Sequence, residues 1–167
     1  FDVMVDLLLD AIGTDEARAL RGRAAVAYAK VAYEVFERRF ADTDPRWARL
    51  AAEGARVQRL LWASTGTKDP SYPDTKYVEP LIGPESINTM PLETLDAYRD
   101  HGEPAARVTE GLDEAKRVIA DLKELGIDLE AVADRLEAEG VEKFVTPFRS
   151  LLSALDEALR AARVASG

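Results

Sequence analysis

The sequence predicts an α/β fold that is mostly helical, with two or three short parallel strands and about six helices. Three observations carry this. Leu60-Leu61-Trp62-Ala63 is a continuous apolar run that ends in the polar, glycine-containing Ser64-Thr65-Gly66, as a fully buried parallel strand does. Ser86 to Thr89 reads as a second short strand. Most of the remaining chain repeats apolar residues at the helical period. Short strands alternating with longer amphipathic helices point to parallel βα units. They are too few to close a barrel, which takes roughly 250 residues when complete. The 167 residues are treated as a single domain, 1–167, long enough to bury a real core.

Each element has a local reason. Phe1 to Leu9 reads FDVMVDLLL, with Asp2, Asp6 and Asp10 recurring every four residues and apolar residues elsewhere. This predicts a helix with one acidic stripe, solvated while the remaining faces pack. Gly13 ends it. Thr14 with Asp15 and Glu16 supplies a cap and an acidic first turn for a helix carrying Leu20, Val26, Val31, Val35 and Phe36 to about Phe40. Asp44-Pro45 opens a shorter helix with Trp47 and Leu50, closed near Gly54. From Gly66 to Pro91 the chain holds five of its eight prolines and little periodicity, which predicts loops around a short helix near 75–82. Pro91 fits the first turn of a helix bearing Leu92, Leu95 and Tyr98. A helical pattern follows from Pro104 through Val108, Leu112, Val118 and Leu122, with Gly126 as its stop. Asp128 caps another helix to Gly140, and a last one follows Pro147 with Phe148, Leu151, Leu152, Leu155 and Leu159 on one stripe.

Composition excludes several function classes. Lys and Arg number 22 against 31 Asp and Glu, a net charge of −9, so no basic face is expected for nucleic acid or for an anionic membrane. With no cysteine there are no disulfides, thiolate metal sites or cysteine nucleophiles, and the single histidine, His101, excludes a multi-histidine metal centre. The N-terminal stretch lacks a basic region and a cleavage signature, and its apolar run is too short and acidic to span a bilayer. The expectation is a cytoplasmic protein whose chemistry would rest on lysine, carboxylates, hydroxyls or backbone groups. The lysines other than Lys68 read as solvated surface, His101 as a helix-end residue meeting the last carbonyls, and Trp62 and Trp47 as packing.

The segment LLWASTGTKDPSYPDTKYVEPLIGPESINTMPLETLDAYRDHG, residues 60–102, resembles the C-terminal portion of a bacterial transaldolase. LDAIGTDEARALRGRAAVAYAKVAYEVF at 9–36 and GIDLEAVADRLEAEGVEKF at 126–144 support it, so the resemblance covers nearly the whole chain. It implies a TIM-barrel enzyme that moves a dihydroxyacetone unit between sugar phosphates such as sedoheptulose 7-phosphate and glyceraldehyde 3-phosphate. That reaction runs through a lysine Schiff base in the pentose phosphate pathway, with no metal or organic cofactor. On that alignment the chain corresponds to the C-terminal βα units of the barrel, and the strands bearing the Schiff-base lysine and its assisting groups precede it. No residue here is then assigned a catalytic role, and the isolated chain is expected to be inactive. Ser64 and Lys68, in the loop after the first strand, fall where the family contacts the substrate phosphate. A lysine at the C-terminal mouth of a barrel strand suits a phosphate dianion.

One region departs from the family. Val3, Met4, Leu7 and Leu8 stand at helix positions where relatives tend to be polar, and Tyr28 stands where they tend to have a small amide. Burying four such side chains contributes roughly 6–12 kcal/mol before ordering costs. Exposed apolar patches mark interfaces. The alternative reading is therefore an engineered or selected protein-binding or self-assembling module on a truncated scaffold. Its contact surface would be Val3, Met4, Leu7, Leu8 and Tyr28, and its partner a second copy or another protein. Sugar phosphate would bind only if the barrel is completed.

Overall fold

The computed structural model describes residues 1–165. The helices are α1 (Asp2–Ile12), α2 (Asp15–Ala19), α3 (Ala24–Arg39), α4 (Pro45–Ala52), α5 (Leu92–His101), α6 (Leu112–Glu124) and α7 (Leu129–Ala165). The strands are β1 (Leu60–Ala63) and β2 (Ser86–Thr89), with one 3-10 turn at Glu79–Leu81 between them. β1 and β2 run parallel in the register Leu60↔Ser86, Leu61↔Ile87, Trp62↔Asn88 and Ala63↔Thr89. A parallel pair flanked by helices is the βα arrangement the sequence predicts, and it is consistent with the partial barrel that the resemblance implies. Residues Asp2–Ile127 form one unit and the stretch from Asp128 onward another. Among the described residues no helix is long and apolar enough to cross a membrane.

In the first unit the core lies between the sheet and α3. Tyr33, Phe36 and Val108 are buried together, and Phe40, Val57, Leu60 and Trp62 pack against them. Phe40 also meets Trp47 edge-on at 4.9 Å between ring centroids. The indole N–H of Trp62 donates to the carbonyl of Leu81 at 3.1 Å, so this tryptophan is core, as expected. Helices α3 and α6 pack along each other, burying Ala24, Ala27, Ala115, Val118 and Leu122. α4 starts as predicted, with Asp44 accepting from the amides of Arg46 and Trp47 at 2.8 and 3.2 Å.

Several sequence expectations are corrected. The expected helix from Thr14 to Phe40 is two helices, because the chain turns at 20–23 with Gly22 at φ +66°. β1 is not fully buried: Leu61 is 52% exposed, and in the described residues neither strand has a second neighbour. A run read as buried on both faces thus has one face open, with Leu61 beside Ile87 on it. The helix expected at 75–82 shrinks to turns and the 3-10 segment, and Pro104 to Gly111 is loop, so α6 begins only at Leu112. On α5 the buried residue is Thr94, whereas Leu92 and Leu95 are exposed.

The second unit is dominated by α7. Asp128 caps it, accepting from the amides of Glu130 and Ala131 at 3.0 and 3.1 Å. The two helices expected here are one, running through Gly140 and Pro147. Glycine and proline inside a helix disfavour it by about 1 and 3 kcal/mol. The stripe of Val141, Phe144, Phe148, Leu151, Leu152, Leu155 and Leu159 nevertheless keeps its period across both, and all seven are exposed.

Candidate functional site

Helix α1 is turned opposite to its expected orientation. Asp2 and Asp6 are 3% and 6% exposed and face inward with Val5 and Leu9, while Val3, Leu7 and Leu8 face outward. Two buried carboxylates are costly unless each is hydrogen-bonded, and here each is bonded twice. Asp2 accepts from the Ala25 amide at 2.6 Å and the Tyr77 hydroxyl at 2.8 Å. Asp6 accepts from the Gly22 amide at 2.8 Å and the Tyr72 hydroxyl at 2.9 Å. Arg23, the residue before α3, offers no side-chain cap, so Asp2 from α1 satisfies an amide in the first turn of α3. The negative carboxylate also suits that end of the helix dipole. Asp10 keeps to the surface and takes Arg21 at 2.5 Å.

Tyr72 and Tyr77 belong to the segment that follows β1, where Ser64 and Lys68 also lie. Its base is fixed by Thr65, whose hydroxyl pairs with the Asn88 side chain at 2.6 Å. Thr67 donates across the loop to the carbonyls of Pro73 and Asp74 at 2.9 and 3.3 Å. Asp69 accepts from the amide and hydroxyl of Ser71, and those bonds hold its carboxyl below the usual range. Arg21 lies 3.8 Å from Asp69. Lys76 places its ammonium 3.3 Å from the centroid of the Tyr72 ring. Burial lowers the Lys76 pKa and raises that of Tyr77 well above the usual phenol value, the bond to Asp2 adding to the latter.

Lys68 is exposed and lines two clefts. One, of ≈ 220 Å³, opens beyond the C-terminal ends of β1 and β2 between Gly66, Thr67, Asp74, Pro91, Glu93 and Thr94. The other, of ≈ 300 Å³, is shared with Val3, Leu7, Arg21, Asp69 and the acidic side chains of α1. Ser64 is exposed at φ +53° and lines neither. Of the predicted contact residues, the structure therefore brings Val3 and Leu7 to one cleft with Lys68. Leu8 is exposed and Met4 half-buried elsewhere on α1, and Tyr28 is exposed on α3.

Two lysines and the histidine depart from their surface readings. Lys30 is half-buried and donates to the carbonyls of Arg107 and Glu110 at 2.9 and 2.6 Å, and burial lowers its pKa. Lys76 lies on an aromatic ring rather than in solvent. His101 meets carboxylates instead of helix carbonyls, with Nε2 2.9 Å from Asp74 and Nδ1 3.3 Å from Asp100. Sequence reading also missed the pairing of the α1 acids with Tyr72 and Tyr77. The available signal was the four-residue spacing of Asp2 and Asp6 on an otherwise apolar helix. Nothing local, however, says whether such a stripe faces water or buried donors.

Comparison with known proteins adds an independent line. Residues 5–155 match the family model described as Transaldolase/Fructose-6-phosphate aldolase. A transaldolase of Arthrobacter sp. (strain FB24) is 51% identical over 166 residues, covering 99% of this chain and 44% of its own length. A transaldolase of Thiobacillus denitrificans is 51% identical over 152 residues, 91% of this chain and 42% of its own. One from Mycolicibacterium smegmatis is 48% identical over 163 residues, 97% and 43%. The chain thus spans less than half the length of these curated relatives.

Proposed function

Because this chain belongs to the transaldolase/fructose-6-phosphate aldolase family, we propose that it acts as the C-terminal βα section of a transaldolase barrel. In this reading it contributes a phosphate contact, Lys68 with Ser64, to the transfer of a dihydroxyacetone unit between sugar phosphates. The Schiff-base lysine and the proton-transfer groups lie on strands outside these residues, and the chain alone does not catalyse the reaction. The observation that carries this reading is the position of Lys68 at the cleft beyond the C-terminal ends of two parallel strands. In barrel enzymes that is the face where substrates bind. Lysine acts there as a point charge toward a phosphate dianion. Asp74 and Glu93 share the cleft, so ligand affinity depends on Lys68 outweighing them. Titrating glyceraldehyde 3-phosphate against the chain completed by the preceding section of the Arthrobacter transaldolase tests this. Saturable, salt-sensitive binding that Lys68→Ala weakens at least ten-fold supports it, and binding indifferent to Lys68 refutes it.

A second reading is favoured by the outward face of α1. Val3 and Leu7 are 54% and 66% exposed, and Leu8 is exposed beside them. That face, with Met4 and Tyr28, serves as a contact surface for a second copy of the chain. Sedimentation equilibrium decides it: a dimer that Leu7→Glu dissociates supports this reading, and a monomer at all concentrations refutes it.

A further inference from the structure

We propose that helix α1 is the clamp of the Lys68 loop, with Tyr72 and Tyr77 as positioning residues that act through Asp6 and Asp2. The purpose of the clamp rests on the reading of Lys68 as a phosphate contact, whereas its existence does not. The segment from Ser64 to Val78 contains no regular helix or strand; short backbone turns close at Tyr72, Lys76 and Val78, and its remaining hydrogen bonds involve side chains. A lysine on such a segment binds an anion well only if the backbone beneath it is already held, since ordering it on binding costs affinity.

The bonds within the loop tie it to itself and, at its base, to β2. The two phenols tie its far limb to α1, beside the exposed bond of Asp74 to His101 of α5. Tyr72 reaches Asp6 at 2.9 Å and Tyr77 reaches Asp2 at 2.8 Å. Each carboxylate spends its other oxygen on an amide of the turn into α3, from Gly22 and from Ala25. Loop, α1 and the start of α3 therefore meet at two buried acids. Burial makes these bonds stronger than surface ones, because water does not compete for the same oxygens. Arg21 adds an outer tie between Asp10 and Asp69, the neighbour of Lys68. Lys68 itself has no hydrogen-bond or ion-pair partner among the described residues, so its side chain is free to take a ligand while its backbone is held.

Tyr72→Phe keeps the ring beneath Lys76 and removes only the hydroxyl, so it isolates the clamp. Amide hydrogen exchange is measured on the full chain and on Tyr72→Phe, Tyr77→Phe and the double variant. Inorganic phosphate is titrated against the same samples, and against Lys68→Ala, by following the amide resonances of positions 66–69. In the double variant the amides of 66–76 exchange at least ten-fold faster, those of Val118 and Leu122 in α6 keep their rates, and the phosphate Kd rises at least ten-fold. Lys68→Ala abolishes the phosphate response and leaves loop exchange unchanged. Unchanged loop exchange in the double variant overturns the clamp, as does a rise shared equally by α3 and α6. A loosened loop with an unchanged phosphate Kd overturns the positioning role. If the loop alone loosens and no sample, wild type included, responds to phosphate, the clamp stands and the phosphate reading falls.

Discussion

Gly22 shows how much a single position carries. At φ +66° a Cβ would lie 2.2 Å from Lys76 Nζ and 2.6 Å from Tyr72 Cζ, while the Gly22 amide is bonded to Asp6. Lysine can swing aside, but the ring is fixed by its own bond to Asp6. Gly22→Ala is expected to cost about 2–4 kcal/mol, combining left-handed backbone strain with overpacking. Gly54, at φ +90° with nothing within 4 Å of its Cβ position, carries only the backbone part, about 1 kcal/mol when changed to alanine. Urea unfolding of the two variants measures the gap, and equal losses would contradict the packing argument. His101 makes a separate prediction. The bond to Asp74 raises its pKa, and His101 in turn lowers that of Asp74. A raised imidazole stabilises the fold below its unfolded pKa and ceases to as pH rises through the folded value. A lowered carboxyl stabilises it above its unfolded pKa and ceases to as pH falls. The pair is therefore strongest near pH 5–6. An NMR titration of the His101 ring should show a midpoint above the ordinary imidazole value, brought down by Asp74→Asn.

The same logic, applied to an element, explains why α1 misleads a reader of its sequence. Leucine and valine outside with aspartate inside reverses the usual pattern, and it holds because Tyr72, Tyr77, Gly22 and Ala25 supply donors from other parts of the chain. The helix was legible from its period, but the direction of its faces was not, since the deciding partners are up to 75 residues away. Leu9 is fully buried and Leu7 is 66% exposed. Leu9→Ala should cost about 2–5 kcal/mol, and Leu7→Ala should fall within about 0.5 kcal/mol of wild type. Chemical denaturation of both checks the orientation, and reversed losses would show the acids facing water. Elsewhere local signals sufficed. Asp44-Pro45 and Asp128 start helices where their caps predict, and β1 and β2 fall on the predicted residues. The turn at 20–23 was not legible, because it is held by the bond of the Gly22 amide to Asp6, 16 residues away, and nothing in the structure explains the passage of α7 through Pro147.

Across the whole molecule, the sheet is an element with unsatisfied surface. Leu61 and Ile87 lie side by side on an open face, and in the described residues β1 and β2 pair only with each other. Parallel strands are ordinarily covered on both faces. With the resemblance to transaldolases legible in WASTGTKDP and YPDTKYVEPLIGP and the family match over residues 5–155, we read the free edges as where further barrel strands would pair and the open face as one they would enclose. The site was legible only as a position, Lys68 after a strand. The clamp behind it depends on contacts that no local pattern announces. The most direct test is transfer of a dihydroxyacetone unit between sugar phosphates, assayed with the chain alone and with the chain mixed with the preceding section of the Arthrobacter transaldolase. No turnover is expected alone, turnover is expected in the mixture, and Lys68→Ala should raise KM about ten-fold with kcat little changed, as for loss of a binding contact. Turnover by the chain alone, with borohydride trapping substrate on one of its own lysines, would contradict this reading.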